Sequence, residues 1–128
     1  MNSSMSSILI VADEASVRKF LRIVFESERH EVLEANNGKE ALDLVHEKAF
    51  DLLIIDLVMP VQEGLETIGV LRREGARLKI IAMSGEVSGF GAELLLKMAE
   101  FLGADGTMSK PLYSDVVLAT VQKLLALA

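Results

Sequence analysis

The chain has no cysteine, which excludes disulfides and thiolate metal sites and is compatible with a reducing cytoplasm. It also has no surplus of positive charge: 13 Lys and Arg stand against 19 Asp and Glu, a net charge of −6. That balance argues against general binding of nucleic acid or anionic membrane, both of which call for a basic surface. It leaves room for a local acidic pocket holding a hard cation. No apolar run approaches the ~20 residues of a membrane-spanning helix. The longest, at 8–12 and 52–55, are strand-sized. Residues 1–7 are small and polar, with neither the basic segment nor the apolar core of a secretory signal. They are expected to be a frayed lead-in to a single cytoplasmic domain at 8–128. What the 128 residues do contain is 51% apolar and 25% charged side chains, the make-up of a globular domain with a core of its own.

Short apolar runs alternate with amphipathic stretches five times. Residues 8–12 read as a buried strand, and 15–27 as a helix with Val17, Phe20, Leu21 and Val24 on one face. Residues 31–34 form a more polar strand suited to an edge. A turn at Asn36-Asn37-Gly38 precedes a helix over 39–47 that turns Ala41, Leu42 and Val45 inward. The unbroken run 52–55 predicts a strand covered on both faces, ending at Asp56. A helix over 64–73 closed by Gly75, a strand over 79–83 ending at Ser84, and a Gly-rich loop at 85–91 follow. A helix over 92–101 ended by Gly103, a short strand over 106–109, and a last helix from 115 to 127 capped by Ser114 complete the chain. Alternation of this kind predicts an α/β fold, a doubly wound five-stranded parallel sheet of order 2-1-3-4-5. Ligands of such sheets sit at the carboxyl ends of the strands, beside the switch between strands one and three.

Four strands end there in polar groups: Asp13 and Glu14, Asp56, Ser84, and Lys110. Carboxylates from adjacent strands can hold Mg²⁺, which takes oxygen ligands and keeps several waters. One carboxylate could serve as a nucleophile toward phosphorus, with the metal, the lysine and the hydroxyl neutralising and orienting the phosphoryl oxygens. Singly, each residue has a plainer reading: the acids as helix caps, Ser84 as a turn residue, Lys110 as a solvated lysine. Caps do not explain the lysine, and the joint set favours a phosphate site.

Read in order, these residues resemble the receiver domain of two-component response regulators, the CheY-like superfamily, over nearly the whole chain. Ile8-Leu9-Ile10-Val11-Ala12-Asp13-Glu14 is similar to that family's opening strand and acidic cluster, and Asp56-Leu57-Val58-Met59-Pro60 with Gly64 to its phosphoacceptor segment. Met83-Ser84-Gly85 resembles the end of its fourth strand, and Gly103-Ala104-Asp105 through Lys110-Pro111 its C-terminal signature. The resemblance implies a flavodoxin-like (βα)5 fold and Asp56 as phosphoacceptor. Asp13, Asp56 and the backbone carbonyl of Val58 would be Mg²⁺ ligands, Ser84 and Lys110 would contact the phosphoryl group, and Lys110-Pro111 would be cis. The donor would be a phosphohistidine on a histidine kinase or phosphotransfer protein. The output would be a downstream protein rather than nucleic acid or membrane, with a phosphorylation-dependent dimer left open. Neither His30 nor His46 is expected to relay phosphate; both read as surface residues.

Three departures from the family pattern bear on mechanism. Ala12 stands where a second acid is usual, so Glu14 could complete the pocket only by turning inward, and weaker Mg²⁺ binding is expected. Thr107 stands where the switch aromatic is usual, which removes the ring that would rotate behind Ser84 and points signalling toward the loop and fourth helix. Ser84 and Lys110 lie 26 positions apart, a few more than is usual, with Gly85, Gly89 and Gly91 in the longer loop. Met83, Met98 and Met108 read as core filler, Phe90 and Phe101 as core or a partner face, and Tyr113 as local packing first. The leading reading is a signalling module with weak autophosphorylation and autodephosphorylation. The alternatives are a pseudo-receiver that binds proteins without phosphorylation, and an aspartate-nucleophile hydrolase. Val58 counts against the hydrolase, because such enzymes carry an acid at that position. Flavin binding would need a phosphate loop where Asp13 and Glu14 stand.

Overall fold

The computed structural model describes residues 5–57, 59, 61–85 and 91–127, with side chains except at 61–63. In chain order it runs β1 Ser7–Val11, α1 Ala15–Ser27, β2 Glu31–Ala35, α2 Gly38–Glu47, β3 Leu52–Asp56, α3 Val61–Arg73, β4 Lys79–Ser84, α4 Gly91–Leu102, β5 Gly106–Ser109 and α5 Ser114–Ala126. The strands are all parallel and ordered β2-β1-β3-β4-β5, so the polar strand β2 is an edge and β3 is central, as the sequence pattern predicts. Every residue of β3 is buried. Leu53 and Ile55 join one core with Ala41, Leu65, Ile68 and Ala99 of α2, α3 and α4. Leu52 and Ile54 join the other, with Leu21 and Phe25 of α1 and Val117 and Val121 of α5. Alternate residues of one strand thus feed two layers, which is why the run is unbroken rather than alternating.

Helix α2 starts on a reciprocal cap: Asn37 accepts the Glu40 N–H at 2.9 Å while Glu40 Oε1 accepts the Asn36 N–H at 2.7 Å. The ends of α3 and α4 are held by one side chain. The Arg72 guanidinium donates to the carbonyls of Gly103, Ala76 and Leu78 at 2.9 Å each and to Asp105 Oδ2 at 2.7 Å. Gly103 has φ +123°, and a Cβ there would lie 2.5 Å from Arg72 Cγ, so only glycine fits.

Several expectations are corrected. Helix α3 begins at Val61, not Gly64. Gly64 lies inside it, where a Cβ would come 3.1 Å from Leu57 Cδ2, so the glycine serves a close approach to the segment after β3. Ser114 is the first residue of α5 rather than its cap. Tyr113, in extended backbone, takes the cap position without a side-chain hydrogen bond. Met83 and Met108 are core, but Met98 is 43% exposed, Phe101 90% and Tyr113 61%. Phe90 and loop residues 86–90 fall outside the described residues.

His30 is also not a surface residue. It is buried against the edge of Phe25, and its Nδ1 accepts the Ser6 N–H at 3.2 Å, so the proton sits on Nε2. His46, by contrast, is exposed on α2 beside Glu74, as expected. Burial lowers the His30 pKa below its ordinary 6.5, against the opposing pull of Glu28 and Asp51. Below pH 6.5 the unfolded chain takes up this proton before the folded one does. The contribution to stability is therefore complete above 6.5 and is lost as pH falls through the lowered folded value. Thermal melts should show Tm falling with acidification in that window, and His30→Gln should flatten the fall. A variant with an unchanged slope would refute the assignment.

Candidate functional site

Because all five strands run the same way, their carboxyl ends share one edge. The register places Val11 beside Ile55, Asp56 beside Met83, and Ser84 beside Ser109. Ala12, Asp13, Asp56, Ser84 and Lys110 therefore converge at the switch between β1 and β3. Asp56 is fully buried, and its Oδ2 accepts from Lys110 Nζ at 2.6 Å. Lys110 is held by its backbone as well: its N–H donates to the Ser84 carbonyl at 2.9 Å, and the peptide bond to Pro111 is cis. The Leu57 N–H donates to the Met83 carbonyl at 2.7 Å, fixing the chain just beyond Asp56. The result is a buried carboxylate facing a largely buried ammonium, with both backbones pinned to β4. Such a pair is costly to desolvate and persists only where the geometry is good.

Ser84 is fully buried next to this pair, and among the described residues its hydroxyl makes a long contact, 3.4 Å, to the Gly85 carbonyl. Asp13 is exposed at the rim. Ala12 is fully buried, so no carboxylate fills the position level with Asp56. Glu14 turns toward Lys110, with Oε1 3.8 Å from Nζ, on a side chain more than half exposed. Water screens that contact, and it is weak. Among the described residues no three acidic or imidazole groups lie close enough to hold a metal, so the three-carboxylate arrangement considered for Asp13, Glu14 and Asp56 does not form. The carboxylates at the strand ends that could hold a hard cation are Asp13 and Asp56. This matches the one or two carboxylates plus water that Mg²⁺ takes. Val58, the expected carbonyl ligand, lies outside the described residues.

A contact not expected from the sequence lies at Ala12. Its carbonyl accepts from Arg18 Nη1 at 2.7 Å. Arg18 Nε donates to Glu34 Oε1 at 2.9 Å, and Arg22 Nε donates to Glu34 Oε2. The Arg22 bond, then that from Arg18, holds the Glu34 carboxyl below its ordinary range despite partial burial. The available signal was two arginines one helical turn apart on α1, facing the acid of the neighbouring edge strand. Thr107, half-buried on β5, lines a groove of about 560 Å³ against α4. Ser84, Ser109 and Lys110 also line it, with Glu93, Lys97 and Glu100 from α4.

A doubly wound sheet with a buried aspartate–lysine pair and a hydroxyl at its switch point defines a class of small α/β modules with an acid–lysine site. The chain belongs to the response regulator receiver domain family, whose profile matches residues 8–122. It is similar to the chemotaxis protein CheY of Halobacterium salinarum, 32% identical over 92% of this chain and 95% of that one. It is likewise similar to sporulation initiation phosphotransferase F of Bacillus subtilis, 30% identical over 94% of each. A CheY-like response regulator receiver domain protein of Methanospirillum hungatei superposes with a TM-score of 0.85 at 25% identity, covering 96% of this chain and 95% of that one. Other curated relatives are longer. The chain spans about half of several transcriptional regulators and 16% of a sensor kinase/phosphatase.

Proposed function

We propose that this receiver domain accepts a phosphoryl group on Asp56 from a phosphohistidine of a histidine kinase or phosphotransfer protein, and signals in the cytoplasm through protein contacts. The observation that carries the reading is the fully buried Asp56 carboxylate, 2.6 Å from Lys110 Nζ at the strand-end crevice. In the transfer, an Asp56 carboxylate oxygen attacks phosphorus, the P–N bond to the donor imidazole breaks, and the imidazole leaves with the bonding pair and takes up a proton. Lys110, already charged and held by its backbone, moves its ammonium from the free carboxylate to a phosphoryl oxygen. Ser84, whose hydroxyl lies buried beside the pair, donates to another phosphoryl oxygen. Asp13 and Asp56 would hold Mg²⁺, which when bound supplies neutralisation of the phosphoryl oxygens.

Incubation with a small phosphodonor and Mg²⁺ tests the reading. A mass gain of one phosphoryl group is expected. No gain favours a pseudo-receiver that binds partners without phosphorylation, a reading that the buried Ala12 and the small Thr107 would suit.

The single-carboxylate gap at Ala12 makes its own prediction. Ala12→Asp puts a second acid beside Asp56, and Mg²⁺ affinity in a calorimetric titration should rise by about tenfold. Equal affinities in the two proteins would show that Ala12 does not limit metal binding.

A further inference from the structure

Ala12, the residue before Asp13, is pinned through both halves of its backbone. Its N–H donates to the Ala35 carbonyl of β2 at 3.1 Å, and its carbonyl accepts from Arg18 Nη1 at 2.7 Å. Arg18 is itself fixed: its Nε donates to Glu34 Oε1 at 2.9 Å, and its side chain is only 16% exposed. The other Glu34 oxygen accepts from Arg22 Nε, and Arg22 also donates to the Val32 carbonyl at 3.3 Å. The Ala12 carbonyl and the Asp13 N–H belong to one planar peptide unit, so a bond to that carbonyl fixes the direction in which the chain leaves toward Asp13. A guanidinium already oriented by a carboxylate makes that bond strong and loses little freedom in forming it. The fix matters more in this chain than it would beside a second acid. Ala12 offers no carboxylate, and Asp13 is exposed, so the backbone sets where the Asp13 carboxylate can reach.

We propose that Arg18 is a positioning residue for the Mg²⁺ site: held by Glu34, it fixes the Ala12–Asp13 peptide and so makes the Asp13 carboxylate available to a cation shared with Asp56. This role rests on the reading of Asp13 as a Mg²⁺ ligand and extends it to a residue that touches neither metal nor phosphoryl group. The sign of the effect separates positioning from electrostatics. Arg18 is a cation beside a cation site, so its charge alone opposes Mg²⁺, and removing it would tighten binding. Positioning acts the other way. Groups that orient metal ligands are typically worth 10–100-fold in affinity, and Arg18 works through the backbone, so a loss of about tenfold is expected.

Calorimetric titration of Mg²⁺ into the unphosphorylated chain tests this. Arg18→Met should raise the Mg²⁺ Kd by about tenfold. The same change made in Asp13→Asn should raise it by less than about twofold, because the carboxylate being positioned is gone. Arg72→Met removes a similarly placed guanidinium, one that holds carbonyls at the opposite, amino ends of β4 and β5. It should lower Tm and leave the Mg²⁺ Kd unchanged. Circular dichroism melts establish that each variant is folded. If Arg18→Met is not, Arg18→Lys, which keeps the charge but cannot reproduce the fork, carries the same expected weakening. An Mg²⁺ Kd unchanged or lowered in the Arg18 variant, raised equally in Arg72→Met, or raised as much in the Asp13→Asn background overturns the proposal while leaving Asp13 as a ligand. An affinity that Asp13→Asn does not lower overturns both the proposal and the reading of Asp13.

Discussion

Asp56→Asn should take up no phosphoryl group under conditions in which the wild-type chain is expected to gain one. The amide keeps the shape of the side chain and can still accept from Lys110 Nζ, so the fully buried position stays filled and hydrogen-bonded. What it loses is the anionic oxygen that attacks phosphorus, and with it the reaction. Intact-mass measurement after incubation with a small phosphodonor reads the difference, and a melt showing a cooperative transition confirms that the variant is folded. Phosphorylation that persists in the variant would move the acceptor elsewhere, with Asp13 and Ser84 the nearest candidates. The effect should be all-or-none because no second carboxylate sits level with Asp56: Ala12 is apolar, Asp13 is exposed at the rim, and Glu14 is turned toward Lys110, 3.8 Å from its ammonium on a largely exposed side chain.

The parts of this fold that were legible in the sequence are those where one residue's environment is set by its neighbours in the chain. The apolar run 52–55 carried the sign of a strand buried on both faces, and the strand-end position of Asp56 followed from it. The order of Asp13, Asp56, Ser84 and Lys110 along the chain became a crevice once the strands were taken as parallel. The parts that were not legible depend on what lies across space. His30 looked like a loop residue because nothing local reveals that Phe25 and Ser6 close over it. Ser114 looked like a cap because a hydroxyl before an acid is a good one, yet the extended backbone falls at Tyr113 and the helix opens one residue later. Met98 looked like core because apolar side chains usually are, and Phe101 could be read as core or as a partner face, whereas α4 has only one face to set on the sheet and Leu95, Ala99 and Leu102 occupy it. Arg18 was invisible as a site residue because its partner is a backbone carbonyl, which no side-chain pattern records.

Lys110→Met should destabilise the domain by about 2–4 kcal/mol at neutral pH, because it strips the cation from a carboxylate that has no exposure to water. Methionine matches the lysine stem in length, so the change isolates the ammonium from the packing of the side chain. Glu14 gains nothing from remaining, since its contact to Lys110 is long and exposed. The decisive measurement is a double-mutant cycle. If the penalty comes from the loss of the Lys110 cation beside the Asp56 charge, the same Lys110→Met change made in Asp56→Asn should cost less than about 1 kcal/mol, leaving a coupling energy of at least ~1 kcal/mol between two groups 2.6 Å apart. Denaturant melts with constant m-values give each corner of the cycle. A cost that is the same in both backgrounds would mean that Lys110 contributes through its stem and its backbone tie to Ser84. The ion pair would then not hold Asp56 in place before phosphoryl transfer. A large coupling would tie stability to the proposed chemistry: the ammonium that compensates Asp56 in the unmodified domain would be the one released to the phosphoryl oxygens if the acid is modified. Phosphorylation would then change the anchoring of the Lys110 segment and, through its N–H to the Ser84 carbonyl, the end of β4 beside the Thr107 groove.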